Sequence, residues 1–313
     1  MDRMPATPDD ARALADLDRR IRLLLPEDYQ ERYQDLQPVP MRSAGLVYGD
    51  DGRVAWDKIW GSFCDLALAG GPPHKGRLLE PGSPDVIAAA PDRYDEVVDE
   101  IRRGVWLAAA LDARPAPTPG WVRVHTFGDA MAGWLLRAIT MENVAVRGEG
   151  STIDLPAGPD FRLEREIKSV VTVIAKTTHY WMGHMPSSQQ RAIAALFAEQ
   201  DAAGPLLRPG GGGAAPAADR LAALTTAVAT GIRERTGLEH AAADAPAGWL
   251  GLACASVGEA IGLMRALVAS HVLARREQTT LLVAIDPVAD PDGARAVSAV
   301  SEVHRLCRAA LST

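Results

Sequence analysis

The most constraining feature of this sequence is an internal match between two of its own segments. When Gly120 is placed on Gly248 and no gaps are allowed, the segments 120–158 and 248–286 share ten identical residues over 39 positions. The identities include Gly120-Trp121 with Gly248-Trp249, and they continue past Arg147 with Arg275 to Thr152 with Thr280. Self-similarity at a fixed offset is typical of a repeated structural unit. We therefore expect the two segments to fold alike.

Each segment has the pattern of a strand, a helix and a second strand, followed by a helix that a Pro-Asp step opens. A fainter first copy is predicted to start near Ala44, with a strand around Leu78-Leu79. Alternating strand and helix signals predict an α/β fold, in which internally repeated β-α-β-α units form a mainly parallel or mixed sheet covered by helices. In the first matched copy, strands are predicted at 121–127 and 152–155 and a helix at 130–141. In the second, strands are predicted at 249–254 and 280–285 and a helix at 257–274.

An N-terminal helical arm is predicted before the repeats. Thr7-Pro8-Asp9-Asp10 has the signature of a helix start, and Leu14, Leu17, Ile21 and Leu24 follow at helical spacing. The arm either packs against the body of the protein or serves dimerisation. The predicted organisation is an arm (1–40), a first, divergent unit (41–119), a second unit (120–185), a helical insertion with a flexible loop at Gly210–Gly213 (186–247), and a third unit (248–313).

Composition excludes several classes of protein. A net charge of -7 and a pI near 5.5 argue against a nucleic-acid binder or a protein of anionic membrane surfaces. Three widely spaced cysteines, without a CxxC pair, predict neither structural zinc nor a disulfide framework. No secretory signal and no transmembrane helix are predicted, so we expect a cytoplasmic protein.

The loop from Gly70 to Gly76, with the sequence GGPPHKG, is the first candidate site. Gly71 and Gly76 would let backbone amides approach a ligand, while His74 and Lys75 supply a titratable group beside a cation. These features suit a small anion. The loop lacks the spacing of a P-loop, and the alternative interpretation is a rigid turn.

The second candidate is a helix over 161–181 that places Lys168, Thr172, Lys176 and His179 on one face. The alternative is a polar face in water, as on most amphipathic helices. His179 and His184 are five residues apart rather than three or four, so no metal site is predicted. The sequence indicates no particular cofactor.

The third candidate rests on cations at comparable positions of the copies, namely Lys75, Arg147 and Arg275. Together they would hold a carboxylate or phosphate, and the anion would raise the pKa of His74 until it becomes a proton donor. Three unrelated surface cations are the alternative. The polar stretch 142–150 predicts either a solvated hairpin or a general base at Glu149.

Two functions follow from these candidates. The first is an enzyme or binding protein for a small anionic metabolite, a carboxylate or phosphate, with His74, Lys75, Lys176 and His179 as catalytic residues and Arg147, Arg275, Lys168, Gly71 and Gly76 as substrate contacts. The second is a non-catalytic subunit or assembly factor that uses tryptophan-rich patches. The expected partners are the metabolite and a homo-oligomer or protein complex, without nucleic acid or membrane.

Overall fold

The computed structural model describes residues 8–34, 45–62, 65–211, 218–241 and 245–310. The α-helices of these ranges are α1 (Pro8–Leu24), α2 (Glu27–Gln30), α3 (Pro84–Ala89), α4 (Pro91–Ala109), α5 (Asp129–Met141), α6 (Lys168–Gly183), α7 (Ser187–Ala203), α8 (Ala218–Thr236), α9 (Val257–Ala269) and α10 (Ala294–Ala310). The strands are β1 (Asp112–Pro115), β2 (Trp121–His125), β3 (Arg147–Glu149), β4 (Thr152–Pro156), β5 (Trp249–Ala253), β6 (Ala274–Glu277) and β7 (Thr280–Ala284).

The chain divides into two compact units. The central unit is Pro26–Ala194, and the terminal unit joins Met1–Leu25 to Ala195–Thr313. This division is coarser than the five predicted segments, whose boundaries stay predictions. Gly212 and Gly213 of the predicted flexible loop lie outside the described residues.

Each unit contains one small antiparallel sheet. The central sheet has the strand order β1-β2-β4-β3, and the terminal sheet has the order β5-β7-β6. Every neighbouring pair of strands is antiparallel. The predicted fold class, with a parallel or mixed sheet of β-α-β-α units, is therefore wrong.

The physical reason is a short strand that follows the helix in each unit. A two-residue turn joins β3 to β4, and another joins β6 to β7. The chain is therefore reversed before β4 pairs with β2 and β7 pairs with β5, the strands that precede the helices. The first turn residue has a positive φ in both hairpins, 54° at Gly150 and 56° at Gln278. A two-residue turn of this kind matches the twist of an antiparallel pair.

The predicted internal match is visible in the order and bounds of the elements. β2, α5 and β4 correspond to β5, α9 and β7 in the alignment that places Gly120 on Gly248. The correspondence starts further upstream than the sequence match predicted, because LLEPG at 78–82 corresponds to LLRPG at 206–210. Equivalent parallel bridges join Leu79 to Val144 and Leu207 to Val272.

A closely packed pair of helices recurs in both units. α4 packs against α6, and α8 packs against α10. A Cβ atom on Gly104 would lie 2.5 Å from Val171 Cγ2, and one on Gly231 would lie 3.1 Å from Val297 Cγ2. Glycine therefore permits the close approach of the helix pair in both units.

Helix α1 of the predicted N-terminal arm packs on α9 and α10 within the terminal unit. Leu17, Ile21 and Leu24 are buried, as their helical spacing predicted. Among the residues described, no helix combines the length and apolar character needed to cross a membrane.

Candidate functional site

Helix α6 carries the polar residues of the second candidate site, and most of them are buried. A π-helical turn at Leu163–Ile167 leads into the helix, a feature that is frequent at functional sites. Lys168, Thr172 and Lys176 follow at intervals of four residues and are all buried. The interpretation as a polar face in water is wrong for these three residues, because α4 and α5 pack against α6.

The partner of Lys176 is Glu142, at the carboxyl end of α5. Lys176 Nζ lies 2.8 Å from Glu142 Oε1, and neither side chain has any exposed surface. The carboxylate also accepts the amide hydrogens of Ala67 and His74, each at 2.9 Å. Glu142 is not among the predicted site residues, although it begins the polar stretch 142–150.

The loop 70–76 is fixed by the residues that follow α5. The Lys75 amide donates to the Glu142 carbonyl at 3.1 Å, and Asn143 Nδ2 donates to the Lys75 carbonyl at 2.8 Å. At Gly71, a Cβ atom would lie 2.4 Å from the Asp65 carbonyl oxygen, whereas at Gly76 it would meet nothing within 4 Å. Only Gly71 is therefore required by close packing.

His74 lies half-buried in this loop, and its ring is neutral at neutral pH. Burial lowers the pKa of His74 from 6.5 to about 3, and the positive charges of Lys176, Lys75 and Lys168 contribute to this shift. We call these three lysines the lysine cluster. The predicted rise of this pKa beside a bound anion stays a prediction, and the anion would have to outweigh burial and three cations.

Charges of both signs lie around the loop that carries His74. The three lysines of the cluster act on its ring. Of the carboxylates, Glu142 pairs with Lys176, Glu166 feels the charge of Lys75, and Asp65 lies against Gly71. An anion would be attracted by the lysines, whose charge these carboxylates partly offset.

The hydroxyl group of Thr172 adds a hydrogen-bonding atom to the same helical face. Thr172 is 1% exposed, and its Oγ1 has no hydrogen-bond partner among the described residues. A buried hydroxyl without a partner costs roughly 1–3 kcal/mol. By contrast, Thr177 on the same helix donates to the Val173 carbonyl at 2.8 Å.

His179 has different neighbours from the lysine cluster. Its Nε2 atom lies 3.1 Å from Nε2 of His184, whose Nδ1 atom contacts the Asp28 carboxylate. Next to this pair, Tyr29 donates to Asp65 at 2.7 Å and contacts the Tyr180 hydroxyl at 2.7 Å. Burial raises the pKa of Tyr180.

Arg147 and Arg275 are held by partners within their own sheets. Arg147 Nε lies 2.9 Å from Asp154 Oδ2, and its guanidinium lies 4.6 Å from the Trp121 ring centroid. Arg275 pairs with Glu277 at 2.6 Å and lies 4.9 Å from the centroid of Trp249. This stacking is the same in both units. The convergence of both arginines with Lys75 on one ligand stays a prediction.

The two units differ at the buried ion pair. In the alignment of Gly120 with Gly248, Ser270 stands where the central unit has Glu142. The next residue has a positive φ in both units, 59° at Asn143 and 67° at His271. Asn143 holds the loop 70–76 through the Lys75 carbonyl, whereas His271 contacts Gln200 and Asp201 at the end of α7, each at 3.0 Å. The shared fold thus forms without the glutamate.

A separate cavity of about 550 Å³ lies in the central unit at the start of α5. Its walls include Phe127, Met131, Trp181, Met182 and Arg191. Phe127 is 70% exposed and Met182 is 55% exposed, which is unusual for large apolar side chains.

Comparison with known proteins gives no relative. No protein-family model matches this chain, and neither the curated proteins nor the solved structures contain a match. Any functional conclusion therefore rests on the residues of the site.

Proposed function

We propose that the central unit binds a small anionic metabolite, a carboxylate or a phosphate, at the lysine cluster. The observation that supports this most is the concentration of charge. Three of the four lysines in the chain act on the single imidazole of His74. Ammonium groups in a partly buried site bind carboxylate or phosphate oxygens by charge-assisted hydrogen bonds.

The buried ion pair supports a functional interpretation over a purely structural one. Burying Lys176 and Glu142 removes two charges from water, which costs several kcal/mol per ion before their attraction offsets it. The terminal unit builds the same elements with Ser270 in place of the glutamate. A costly feature that the fold does not need is a candidate for selection by function.

Each member of the site has a defined part in this proposal. Lys75 and Lys168 supply charge to the anion, and Lys176 is held in position by Glu142. The neutral ring of His74 offers one donor and one acceptor, and Thr172 donates its hydroxyl hydrogen. Binding of the anion raises the pKa of His74, so the complex takes up protons more readily than the protein alone.

Isothermal titration calorimetry tests the proposal with inorganic phosphate and, separately, with succinate as a carboxylate probe. We expect saturable binding of at least one of them at one equivalent. Lys75→Ala should weaken this binding by about tenfold or more, since a hydrogen bond to a charged group contributes roughly 1.5–3 kcal/mol. Lys58→Ala is the matched control, because Lys58 is the remaining lysine and is exposed. Absence of saturable binding of both probes would contradict the proposal.

The cytoplasm is the compartment that we propose. Cys254 and Cys307 are both unpaired thiols, and burial raises the pKa of each thiol to about 11. Unpaired cysteines are usual where thiols are kept reduced.

A non-catalytic subunit is the second candidate, and a separate observation favours it. Phe127 and Met182 expose large apolar surfaces at the same cavity, as residues at protein contacts often do. If this surface joins copies of the chain, native mass spectrometry should show an oligomer that the double substitution Phe127→Ser, Met182→Ser dissociates. A monomeric wild-type protein would remove this support.

A further inference from the structure

The histidines that follow the lysine cluster on α6 form a pair of their own. His179 lies in the last turn of α6, and His184 is the first residue beyond it, with a φ of -123°. This change of backbone direction brings the two rings together despite their spacing of five residues. The Nε2 atoms are 3.1 Å apart, and the ring centroids are 4.8 Å apart.

The distances in this pair fit a shared metal ion. Two imidazole nitrogens bound to one tetrahedral ion at about 2.0–2.1 Å lie roughly 3.3 Å from each other. A linear hydrogen bond between two imidazoles at the observed nitrogen separation would place the ring centroids roughly 5.4 Å apart. The observed 4.8 Å is shorter, so at least one ring is tilted away from the line between the nitrogens. A tilted approach is what two ligands of one ion require.

A neighbouring carboxylate positions the ring of His184 for a metal. Nδ1 of His184 contacts the Asp28 carboxylate. When a carboxylate accepts the hydrogen of one imidazole nitrogen, the lone pair that binds a metal lies on the other nitrogen, which is Nε2 here.

Solvent has access to this pair. The Asp28 side chain is 57% exposed and that of His184 is 33% exposed. Within the described ranges, no three side chains of His, Cys, Asp or Glu come together as metal ligands. An ion at the pair would thus have two protein ligands and would fill its other positions with water or a solute.

We propose that His179 and His184 bind one divalent transition-metal ion through their Nε2 atoms, with Asp28 as the residue that positions His184. Imidazole ligands suit Zn²⁺, Ni²⁺ and Cu²⁺ better than Mg²⁺ or Ca²⁺. The site is distinct from the lysine cluster, so the proposal does not depend on anion binding.

Titration of the untagged full chain with Zn²⁺ in a calorimeter tests this site. We expect one equivalent to bind, with affinity at least tenfold weaker in His179→Gln and in His184→Gln. Asp28→Asn should weaken binding by about 10–100-fold, as loss of a carboxylate behind a metal-bound histidine does. His125→Gln is the matched control, because His125 is an exposed histidine of the same unit.

A measurement on the wild-type protein avoids any effect of the substitutions on folding. In nitrogen-detected NMR spectra of the imidazole rings, Zn²⁺ should shift the Nε2 signals of His179 and His184 and leave those of His125 unchanged. Zn²⁺ binding that the two variants leave intact would overturn the proposal. So would a titration in which neither ring responds to one equivalent of the ion.

Discussion

Glu142 and Lys176 form an ion pair of 2.8 Å between two side chains that have no exposed surface. The same carboxylate holds the amides of Ala67 and His74, so one side chain joins α5, α6 and the loop that carries Lys75. The geometry of the proposed anion site depends on this pair.

Removal of one partner of the pair should destabilise the protein strongly. Lys176→Met leaves the Glu142 carboxylate buried without its cation, which costs about 3–5 kcal/mol of unfolding free energy. The double variant Glu142→Gln, Lys176→Met should lose less than the sum of the two single variants, because no uncompensated charge remains. Urea unfolding followed by tryptophan fluorescence measures these values. A cost below about 1 kcal/mol for Lys176→Met would show that the pair is not coupled as described.

The two glycines of the loop should respond differently to alanine. Gly71→Ala places a Cβ atom against the Asp65 carbonyl oxygen and should cost about 1–3 kcal/mol of unfolding free energy. Gly76→Ala is the control, since its Cβ meets nothing within 4 Å, and it should change stability by about 0.5 kcal/mol or less. Equal effects in thermal unfolding would contradict the packing at Gly71.

The protein should become less stable as the pH is lowered from 6.5 towards 3, and His74 should contribute to this loss. The pKa of His74 is about 3 in the folded protein and 6.5 in an unfolded chain. Between these values only the unfolded chain binds the proton, so the unfolding free energy decreases as the pH falls from 6.5 towards 3. Above pH 6.5 this group contributes no slope.

The difference between two pH profiles isolates the part due to His74. The pKa values of His179 and His304 are also lowered by burial, so they add slopes of the same sign. His74→Gln should flatten the profile relative to the wild type, and His125→Gln should not. The measurement is chemical denaturation at several pH values in a buffer without phosphate. A His74→Gln profile that coincides with the wild type would refute the lowered pKa.

Close packing of α4 on α6 yields another matched pair of variants. Gly104→Ala places a Cβ atom 2.5 Å from Val171 and should lower the unfolding free energy by about 1–3 kcal/mol. Gly262→Ala, in α9, meets nothing within 4 Å and should raise it by roughly 0.5–1 kcal/mol, because alanine favours a helix over glycine. Calorimetric unfolding would contradict this account if both variants shifted the transition in the same direction.

The internal match let the sequence predict part of the fold. Gly120-Trp121 and Gly248-Trp249 do begin equivalent strands, and α1 starts and ends close to its predicted limits. The antiparallel sheets were missed because β3, at Arg147–Glu149, has only three residues and too short a hydrophobic pattern to be seen. That short strand reverses the chain and changes the fold class.

The sequence predicts only those site residues that a local pattern in the chain reveals. Lys168 and Lys176 share a face by helical spacing, and Lys75 stands out by its unusual loop. Glu142 follows α5 whereas Lys176 lies in α6, so no local pattern reveals their contact. The lowered pKa of His74 likewise comes from burial, which a single sequence does not show.

The most direct test of the anion site uses the Thr172 hydroxyl. Thr172→Val removes a buried hydroxyl that has no partner among the described residues, without a change of shape. Thr177→Val, its control, removes a hydroxyl that is bonded to the Val173 carbonyl. Both residues lie in α6, and both are buried.

The measurement combines the unfolding free energy with the affinity of whichever probe, phosphate or succinate, binds the wild-type protein. We predict that Thr172→Val raises the unfolding free energy by about 1 kcal/mol, because a buried hydroxyl without a partner is removed. It should also weaken binding of that probe by about tenfold, because the hydroxyl no longer donates a hydrogen bond to the ligand. Thr177→Val should lower stability by about 1 kcal/mol and leave the affinity unchanged. A Thr172→Val protein that is less stable than the wild type and binds the probe equally well would contradict the central claim.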